Sequence, residues 1–334
     1  MSMEYLIEKN LQNQLNYMHE VDTYFECIIR ECSSGIPLNG QGNSGPNFHA
    51  YLSNHNRDFY NSQYYYKKPM KFIHFTSIRN LMSICKSKSI RMYNMINSND
   101  VSEYDFAASE MGLSKGEIEY YKKRIFTFSF CELSELYNKK IWQNYGHDFQ
   151  GAAVGFKFFN NAMLWENYHI SAIQYDNLEP FQKYRQRIEK LLNRFGSISA
   201  RCDLSSIIGF HKSSQWSWEK EIRLLANNPF INEEDYMINA NIDIRSDQFK
   251  NVLTRYVDLP ISLDKVKSKN ELEQADFKQK EPYLGSPMIK LEKIYLTSQC
   301  NLCENRTAIA EIEIMLEANF GYRVGIEIIN DFNN

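Results

Sequence analysis

Residues 71-KFIHFTSIRNLMSICKSKSIRM-92 predict a strand that turns directly into a helix. The strand covers residues 72–75, and the helix over residues 78–86 has its apolar side chains at helical spacing, at Ile78, Leu81, Met82 and Cys85. Thr76 or Ser77 is expected to cap the first turn of this helix. A strand that only filled a core would carry Val or Ile at position 74, so His74 needs a further explanation.

Strands and helices continue in mixed order along the rest of the chain. Further strands are predicted over residues 90–95, 125–130, 152–158, 170–175, 221–226, 252–257, 291–297 and 322–329. Helices are predicted over residues 103–111, 181–195 and 306–320. Because the two element types do not strictly alternate, the sequence favours an α+β fold with largely antiparallel sheets over a doubly wound parallel sheet.

The first 69 residues have a different pattern. Apolar residues at helical spacing predict a helix over residues 5–32, and a second, tyrosine-rich helix is predicted over residues 49–66. Between them, residues 33–47 are rich in Gly, Pro, Asn and Ser, which is typical of a linker or exposed loop. We therefore predict a helical N-terminal appendage over residues 1–69 and a second domain over residues 70–334.

Composition narrows the range of functions. The chain has 334 residues, 43% of them hydrophobic, which is enough for a large core. Its formal net charge of −3 gives no overall positive field, so nucleic-acid binding as the only function is disfavoured. Any contact with DNA or RNA would have to come from a local basic patch.

The sequence also predicts where the protein acts. The N-terminus lacks the cationic start and apolar run of a secretory signal, and no run of about 18 apolar residues predicts a membrane span. Seven scattered cysteines are typical of reduced thiols in the cytosol. We expect a cytoplasmic protein of bacterial type with no membrane partner.

The segment 211-HKSSQWSWEKEIRLLA-226 places two carboxylates at the start of a predicted strand. Glu219 and Glu221 lie two residues apart, so alternation along a strand directs both to one face, with Arg223 beyond them. Two close carboxylates raise the pKa of one of them unless Arg223 neutralises the pair. The alternative is a solvated ladder of charges at the strand start.

These two segments resemble motifs of the ADP-ribosyltransferase superfamily, in which a strand bearing His-x-Thr or His-x-Ser turns into a helix. The run 74-HFTSIRNL-81 is similar to the DNA-targeting toxin branch, including Asn80, and Glu219-x-Glu221 is similar to the third motif. The resemblance implies a core of split, largely antiparallel sheets with flanking helices. It implies that His74 and Thr76 position the ribose of NAD and that Asn80 contacts the same molecule.

The resemblance also assigns roles to the two carboxylates. It implies that Glu221 stabilises the oxocarbenium ion formed when nicotinamide leaves, and that Glu219 helps to activate the acceptor. Such chemistry fits a carboxylate placed in a dry pocket, because cleaving the glycosidic bond of NAD creates positive charge on the ribose.

Five motifs in order closely resemble a bacterial family, "domain of unknown function 2971". They are 74-HFTS-77, 97-NSNDVSEYDFA-107, 125-IFTFSFCE-132, 142-WQNYGHDFQGAAVGF-156 and 216-WSWEKEIRLL-225. The resemblance covers about residues 71–330 and leaves the N-terminal segment outside.

The middle motifs supply further candidates for contact with NAD. Ser129 lies on the hydroxyl-bearing face of a predicted strand. Trp142 and Tyr145 are three residues apart, so a helix would present both rings to a nicotinamide or adenine ring, or else to the core. Tyr93 occupies roughly the place of the nicotinamide-stacking tyrosine of the His-type enzymes.

Two motifs allow competing interpretations. Asp100 and Glu103 have capping-box spacing, which predicts either a helix start or a substrate contact. His147 and Asp148, taken with them, offer the weaker hypothesis of a metal-dependent nuclease. We predict no metal site, since the pair 300-CNLC-303 has no second Cys or His pair after it.

The expected function is therefore cleavage of NAD, with ADP-ribose passed to DNA, RNA or protein, or to water in a glycohydrolase. The resemblance implies a toxin or a phage-defence effector. The alternative is a non-enzymatic module of the same fold that senses a ligand or binds a partner protein through its N-terminal helices.

Overall fold

The computed structural model describes residues 28–33, 47–52, 63–97, 103–159, 167–179, 199–203, 205–227, 242–247, 252–261, 286–300 and 302–330, with single positions between them. A ten-stranded sheet forms the centre, and a three-stranded and a two-stranded sheet accompany it.

The strands are β1 Ile28–Ser33, β2 Asn47–Leu52, β3 Lys71–Thr76, β4 Ser89–Asn94, β5 Phe126–Glu132, β6 Ala152–Phe158, β7 Tyr168–Ala172, β8 Gln174–Tyr175, β9 Ser199–Asp203, β10 His211–Lys212, β11 Glu221–Ala226, β12 Ile242–Asp247, β13 Val252–Pro260, β14 Ile289–Thr297 and β15 Gly325–Ile329. The α-helices are α1 Ile78–Ser87, α2 Glu103–Glu110, α3 Lys115–Arg124, α4 Lys139–Tyr145, α5 Ser205–Ile208 and α6 Leu302–Phe320. Among the described residues, 3-10 helices cover Met95–Asn97, Leu133–Tyr137 and Ser214–Glu219.

The large sheet is open and mostly antiparallel. Its strands follow the order β12-β13-β4-β5-β3-β6-β14-β15, while β11 pairs with both β5 and β7. The pair β14 and β15 is parallel, and the other neighbours in this sheet are antiparallel. The predicted mixture of helices with a largely antiparallel sheet is confirmed.

Strand β5 lies where this sheet divides. One edge of β5 pairs with β11 from Phe126 to Cys131. The other edge pairs with β4 at Phe126 and Thr127 and with β3 at Cys131 and Glu132. Among the described strands, none pairs with the intervening residues on that second edge, so the sheet opens between β3 and β4.

The side chain of His74 closes part of this opening. Its Nδ1 lies 2.9 Å from the carbonyl oxygen of Ser129 and takes the place of a backbone donor. The His74 ring also packs 4.3 Å from the ring of Phe128, measured between centroids. A histidine in β3 is thus explained by the hydrogen bond that an aliphatic side chain could not make.

The helices cover the sheet through apolar clusters. Helices α1 and α6 pack into the largest cluster, which contains Leu81 and Leu316. The Nδ2 of Asn319 donates to the carbonyl of Cys85 at 3.1 Å and joins the two helices. Ser77 caps α1, since its Oγ accepts from the backbone N–H of Asn80 at 3.2 Å, which settles the choice between Thr76 and Ser77.

All nine predicted strands overlap observed ones, but parts of the N-terminal prediction are wrong. Residues 28–32, predicted as the end of the helix over residues 5–32, belong to strand β1. Residues 49–52, predicted as the start of the helix over residues 49–66, belong to strand β2. These strands pair with each other, and β2 pairs in parallel with β9. Short apolar runs are compatible with both the helical and the strand period. Here, pairing with strands distant in sequence makes these segments strands. Most of residues 5–27, the loop 34–46 and most of the helix predicted over residues 181–195 lie outside the described residues.

Gly151 sits where the loop before β6 meets the end of β3. A Cβ at this position would lie within 3.0 Å of the backbone carbonyls of Thr76 and Gly146. Because backbone atoms cannot move aside as a flexible side chain can, we expect Gly151→Ala to reduce the free energy of unfolding by about 1–3 kcal/mol. Urea denaturation measures this change.

Gly116→Ala is the matched control for this prediction. No atom lies within 4 Å of a Cβ at position 116, and the residue lies in α3. Alanine there should be neutral or stabilise by up to about 1 kcal/mol, because it favours the helix. Equal effects of the two substitutions would contradict the close approach at Gly151.

Candidate functional site

Five ionisable side chains are buried together beside the division of the sheet. We call them the Glu221 network, which consists of the carboxylates of Glu103, Glu219 and Glu221 and the cations of Lys212 and Arg223. Each of the five residues is at most 8% exposed. Buried charges are stable only when paired, so the contacts among these groups are constraints on the fold.

Arg223 holds Glu221 from two sides. Its Nε donates to Oε1 of Glu221 at 2.8 Å and its Nη2 to Oε2 at 2.9 Å. The Nη2 also pairs with Glu103, and Nη1 donates to the carbonyl of Gly209 at 2.8 Å. Burial alone would raise the pKa of Glu221, but the charges of Arg223 and Lys212 outweigh it, so this pKa lies well below its usual value. Glu221 is therefore ionised at neutral pH.

Lys212 joins all three carboxylates. Its Nζ lies 2.6 Å from Glu219, 3.3 Å from Glu221 and 3.6 Å from Glu103. Burial would lower the pKa of Lys212, and the charges of Glu221 and Glu103 more than compensate, so the pKa is raised. Lys212 therefore stays charged, and the network carries three formal negative charges against two positive ones.

Ser129 connects Glu221 to His74. The Ser129 hydroxyl donates to Oε1 of Glu221 at 2.6 Å, and the Ser129 carbonyl accepts from Nδ1 of His74. Burial lowers the pKa of His74 to about 4, although the hydrogen bond to Ser129 acts in the opposite direction. The imidazole is thus neutral, with its proton on Nδ1 and a lone pair on Nε2.

His74 and Glu221 meet at Ser129 from opposite faces of the sheet. Ile73 lies opposite Cys131, and Cys131 lies opposite Glu221, so these three side chains share a face. His74, the next residue of β3, points to the other face. Ser129 joins the two faces because its hydroxyl and its carbonyl serve different partners.

Aromatic rings border the carboxylates. The Tyr145 hydroxyl donates to Glu219, and its ring stacks on that of Trp218 with centroids 5.9 Å apart and planes inclined by 18°. Lys140 Nζ lies 4.3 Å from the centroid of the Trp218 ring. Burial and the Glu219 carboxylate raise the pKa of Tyr145, which keeps its hydroxyl protonated. Tyr145 is 40% exposed, so the stack extends from the buried network to the surface.

The geometry brings together five of the predicted site residues and leaves others apart. Glu221, Glu219, Ser129, His74 and Tyr145 are joined by the contacts above. Thr76 is buried at the end of β3, Asn80 is exposed on α1, and Tyr93 on β4 packs its ring 6.2 Å from that of Tyr256.

Trp142 is a correction to the prediction. It is fully buried, its Nε1 donates to the carbonyl of Leu136 at 2.7 Å, and its ring meets Phe75 edge-on at 5.1 Å. Trp142 therefore belongs to the core under β3, where it cannot stack on a ligand. The two rings do not point in the same direction as predicted, because α4 turns Trp142 towards the sheet and Tyr145 towards solvent.

The Glu219–Glu221 pair also differs from its predicted form. Glu219 ends the 3-10 helix Ser214–Glu219, and Lys220 has a φ of 45°, so strand alternation does not relate the two carboxylates. They converge on Lys212 instead. Of the two outcomes that the sequence left open, Arg223 neutralises Glu221, while Lys212 pairs with Glu219.

Sequence reasoning missed three groups at this site. Lys212 and Trp218 lie within the quoted segment 211–226 but have no spacing that marks them. Tyr175 accepts a hydrogen bond from the backbone N–H of Glu221 at 3.0 Å. Glu103 is a different case, because capping-box spacing predicted that it begins α2. Its contact was not predicted: the side chain pairs with Arg223, which is 120 residues away in sequence.

The nuclease hypothesis gains no metal site from the geometry. Among the described residues, no three His, Cys, Asp or Glu side chains are placed to hold a metal ion, and Asp100 lies outside them. His147 and Asp148 adopt left-handed backbone conformations in the turn after α4.

Among the helices that the structure describes, none is long and apolar enough to cross a lipid bilayer.

Comparison with known proteins gives one match. The model of a family described as "Protein of unknown function (DUF2971)" matches residues 141–224. This segment runs from α4 to β11 and contains four of the five members of the Glu221 network, all except Glu103. No curated protein and no solved structure matches the chain.

Removing the guanidinium of Arg223 should leave Glu221 and Glu103 buried with only Lys212 as a counter-charge. We expect Arg223→Met to reduce the free energy of unfolding by about 3–5 kcal/mol, the usual cost of breaking a buried ion pair. Arg91→Met is the control, because Arg91 pairs with Asp258 at 3.4 Å on a partly exposed site. A loss below about 1 kcal/mol at both positions would contradict the pairing described here.

The stability of the protein should fall as the pH is lowered from about 6.5 to 4. Burial lowers the pKa of His74 to about 4 and that of His211 to about 3, so the unfolded chain binds protons that the folded chain does not. Urea midpoints measured at pH 7.5 and pH 5 report this change. His74→Gln, whose amide can still donate to Ser129, should flatten the pH dependence, and an unchanged slope would contradict the neutral imidazole.

Proposed function

We propose that this protein cleaves NAD and transfers ADP-ribose, with Glu221 as the essential carboxylate. The observation that supports the proposal is the convergence of His74 and Glu221 on Ser129. These residues come from the two segments that resemble ADP-ribosyltransferase motifs, and they lie 55 and 92 positions from Ser129.

The chemistry suits the state of Glu221. Breaking the bond between the ribose C1′ and the nicotinamide nitrogen releases neutral nicotinamide with the bonding electrons and leaves an oxocarbenium ion. A carboxylate that is already ionised and held in place stabilises this charge once one of its present bonds gives way to the substrate. The acceptor then bonds to C1′ and loses a proton, for which Glu219 beside Tyr145 is the proposed base.

The stacked rings of Tyr145 and Trp218 offer a platform for the nicotinamide or adenine ring. Thr76, Asn80 and Tyr93 remain proposed contacts of the same substrate. The acceptor is a macromolecule or water, and we place the activity in the cytosol, as that of a toxin or phage-defence effector.

A second candidate is a non-enzymatic binding module. Both carboxylate oxygens of Glu221 are already bonded, Oε1 to Ser129 and Arg223, and Oε2 to Arg223 and Lys212. Such saturation favours a structural ion network, in which the ligand contacts the aromatic stack and the carboxylates hold the fold. A reaction would require Glu221 to exchange one of these bonds.

Glu221→Gln distinguishes the two candidates. It leaves two formal negative charges against two positive ones in the network, but its amide nitrogen takes the place of an oxygen that accepts two hydrogen bonds. We expect release of nicotinamide from NAD to fall by about 100-fold or more, the usual effect of losing one electrostatic stabiliser, in a variant that melting curves show to be folded.

The control is Glu135→Gln. Glu135 is a buried carboxylate paired with Lys220 at 2.7 Å, outside the Glu221 network. The Glu135→Gln variant should release nicotinamide from NAD at the wild-type rate.

With adenylate-labelled NAD and cell lysate, label on protein, DNA or RNA indicates transfer, and nicotinamide release without label indicates a glycohydrolase. If NAD raises the melting temperature but stays intact, the binding module is correct and catalysis is refuted.

A further inference from the structure

Three lysines form a row across neighbouring strands of the large sheet. Lys71 on β3 lies opposite Lys157 on β6, and Lys157 lies opposite Lys290 on β14. Adjacent strands are about 4.8 Å apart, and like charges placed directly opposite one another destabilise a sheet. Such a row attracts anions, and Glu292 pairs with Lys71 at one end of it.

Further charges and rings surround this row. A concavity of about 430 Å³ opens here, and its lining includes Lys71, Lys290, Lys293, Arg323, Tyr295 and Tyr322. Together with Lys157, the surface has five cations against two carboxylates, Glu292 and Glu327, which pair with Lys71 and Lys293. A chain with a net charge of −3 thus concentrates positive charge on one face.

Aromatic side chains lie among these cations. Lys290 Nζ is 4.0 Å from the centroid of the Tyr322 ring, and Lys293 Nζ is 5.6 Å from that of Tyr295. Both rings are partly exposed. Basic side chains that follow a phosphate backbone, with rings on which bases stack, are the usual means of holding single-stranded nucleic acid. An acidic peptide would use the cations and leave the rings without a role.

We propose that this surface, which we call the lysine face, binds single-stranded nucleic acid. It lies on the same side of the sheet as Glu221, since Lys71 and Ile73 alternate to one face of β3 and Ile73 aligns with Cys131 and Glu221. Lys71 and Glu221 are separated by two residues along the strand direction and by two strand spacings across the sheet. These separations correspond to roughly 12 Å between the two Cα atoms. If the proposed NAD cleavage holds, a bound strand is within reach as the acceptor; the binding itself does not depend on that reaction.

Fluorescence anisotropy with labelled oligothymidine of about 20 nucleotides, without NAD, tests the proposal. The affinity of the full chain should fall as salt is raised from about 50 to 200 mM. The variant Lys71→Gln, Lys157→Gln, Lys290→Gln should bind at least about tenfold more weakly at low salt, and the slope of log K against log salt should shrink by about 2.

A second triple variant removes three charges elsewhere. Lys86, Lys115 and Lys123 are exposed on α1 and α3, and their replacement by Gln should leave both affinity and salt slope unchanged. Equal losses in the two variants, or no oligothymidine binding by the wild type, would overturn the proposal. Equal binding of labelled polyglutamate would overturn it in favour of an acidic protein partner. Melting curves confirm that both variants fold.

Discussion

The bidentate pair between Arg223 and Glu221 is the interaction on which the site depends. Two opposite charges at such depth persist only if their remaining donors and acceptors are also bonded. Those bonds reach Gly209, Glu103, Lys212 and Ser129. One ion pair therefore draws together α2, β5, β10, β11 and the loop after α5, which are widely separated in sequence.

The division of the sheet explains the role of His74. Strand β5 satisfies one edge through β11, and its other edge is left open between β4 and β3. The carbonyl of Ser129 faces this gap and accepts a hydrogen bond from His74. The histidine that looks misplaced in an apolar strand thus completes the hydrogen bonding of its neighbour, and the hydroxyl of Ser129 is left to hold Glu221.

Local signals in the sequence predicted the local structure well. Strand β6 carries a nearly continuous apolar run, and α1 has a clear apolar stripe with Ser77 as its cap. Helix α3 was missed although 114-SKGE-117 has the spacing of a capping box, which the structure forms between Ser114 and Glu117. That omission was avoidable, because the signal lies within four residues.

The remaining differences come from interactions without a local signal. Strands β1 and β2 depend on each other and on β9, so no short window distinguishes them from helix. The bond from Glu103 to Arg223 is likewise invisible to any spacing rule. The prediction could recognise Glu221 and His74 as unusual, but the connection through Ser129 required the register of β5.

Strand β3 shows how much one short element can determine. Its alternation sends Lys71 to the lysine face, Ile73 into the core beneath Trp142, and His74 to the opposite side, towards Phe128 and Ser129. A shift of one residue would exchange these faces, bury Lys71 and turn His74 away from β5. The register of β3 against β5 and β6 therefore sets both the contact of His74 with Ser129 and the position of the basic surface. The lysine face and the side chain of Glu221 therefore lie on the same side of the sheet.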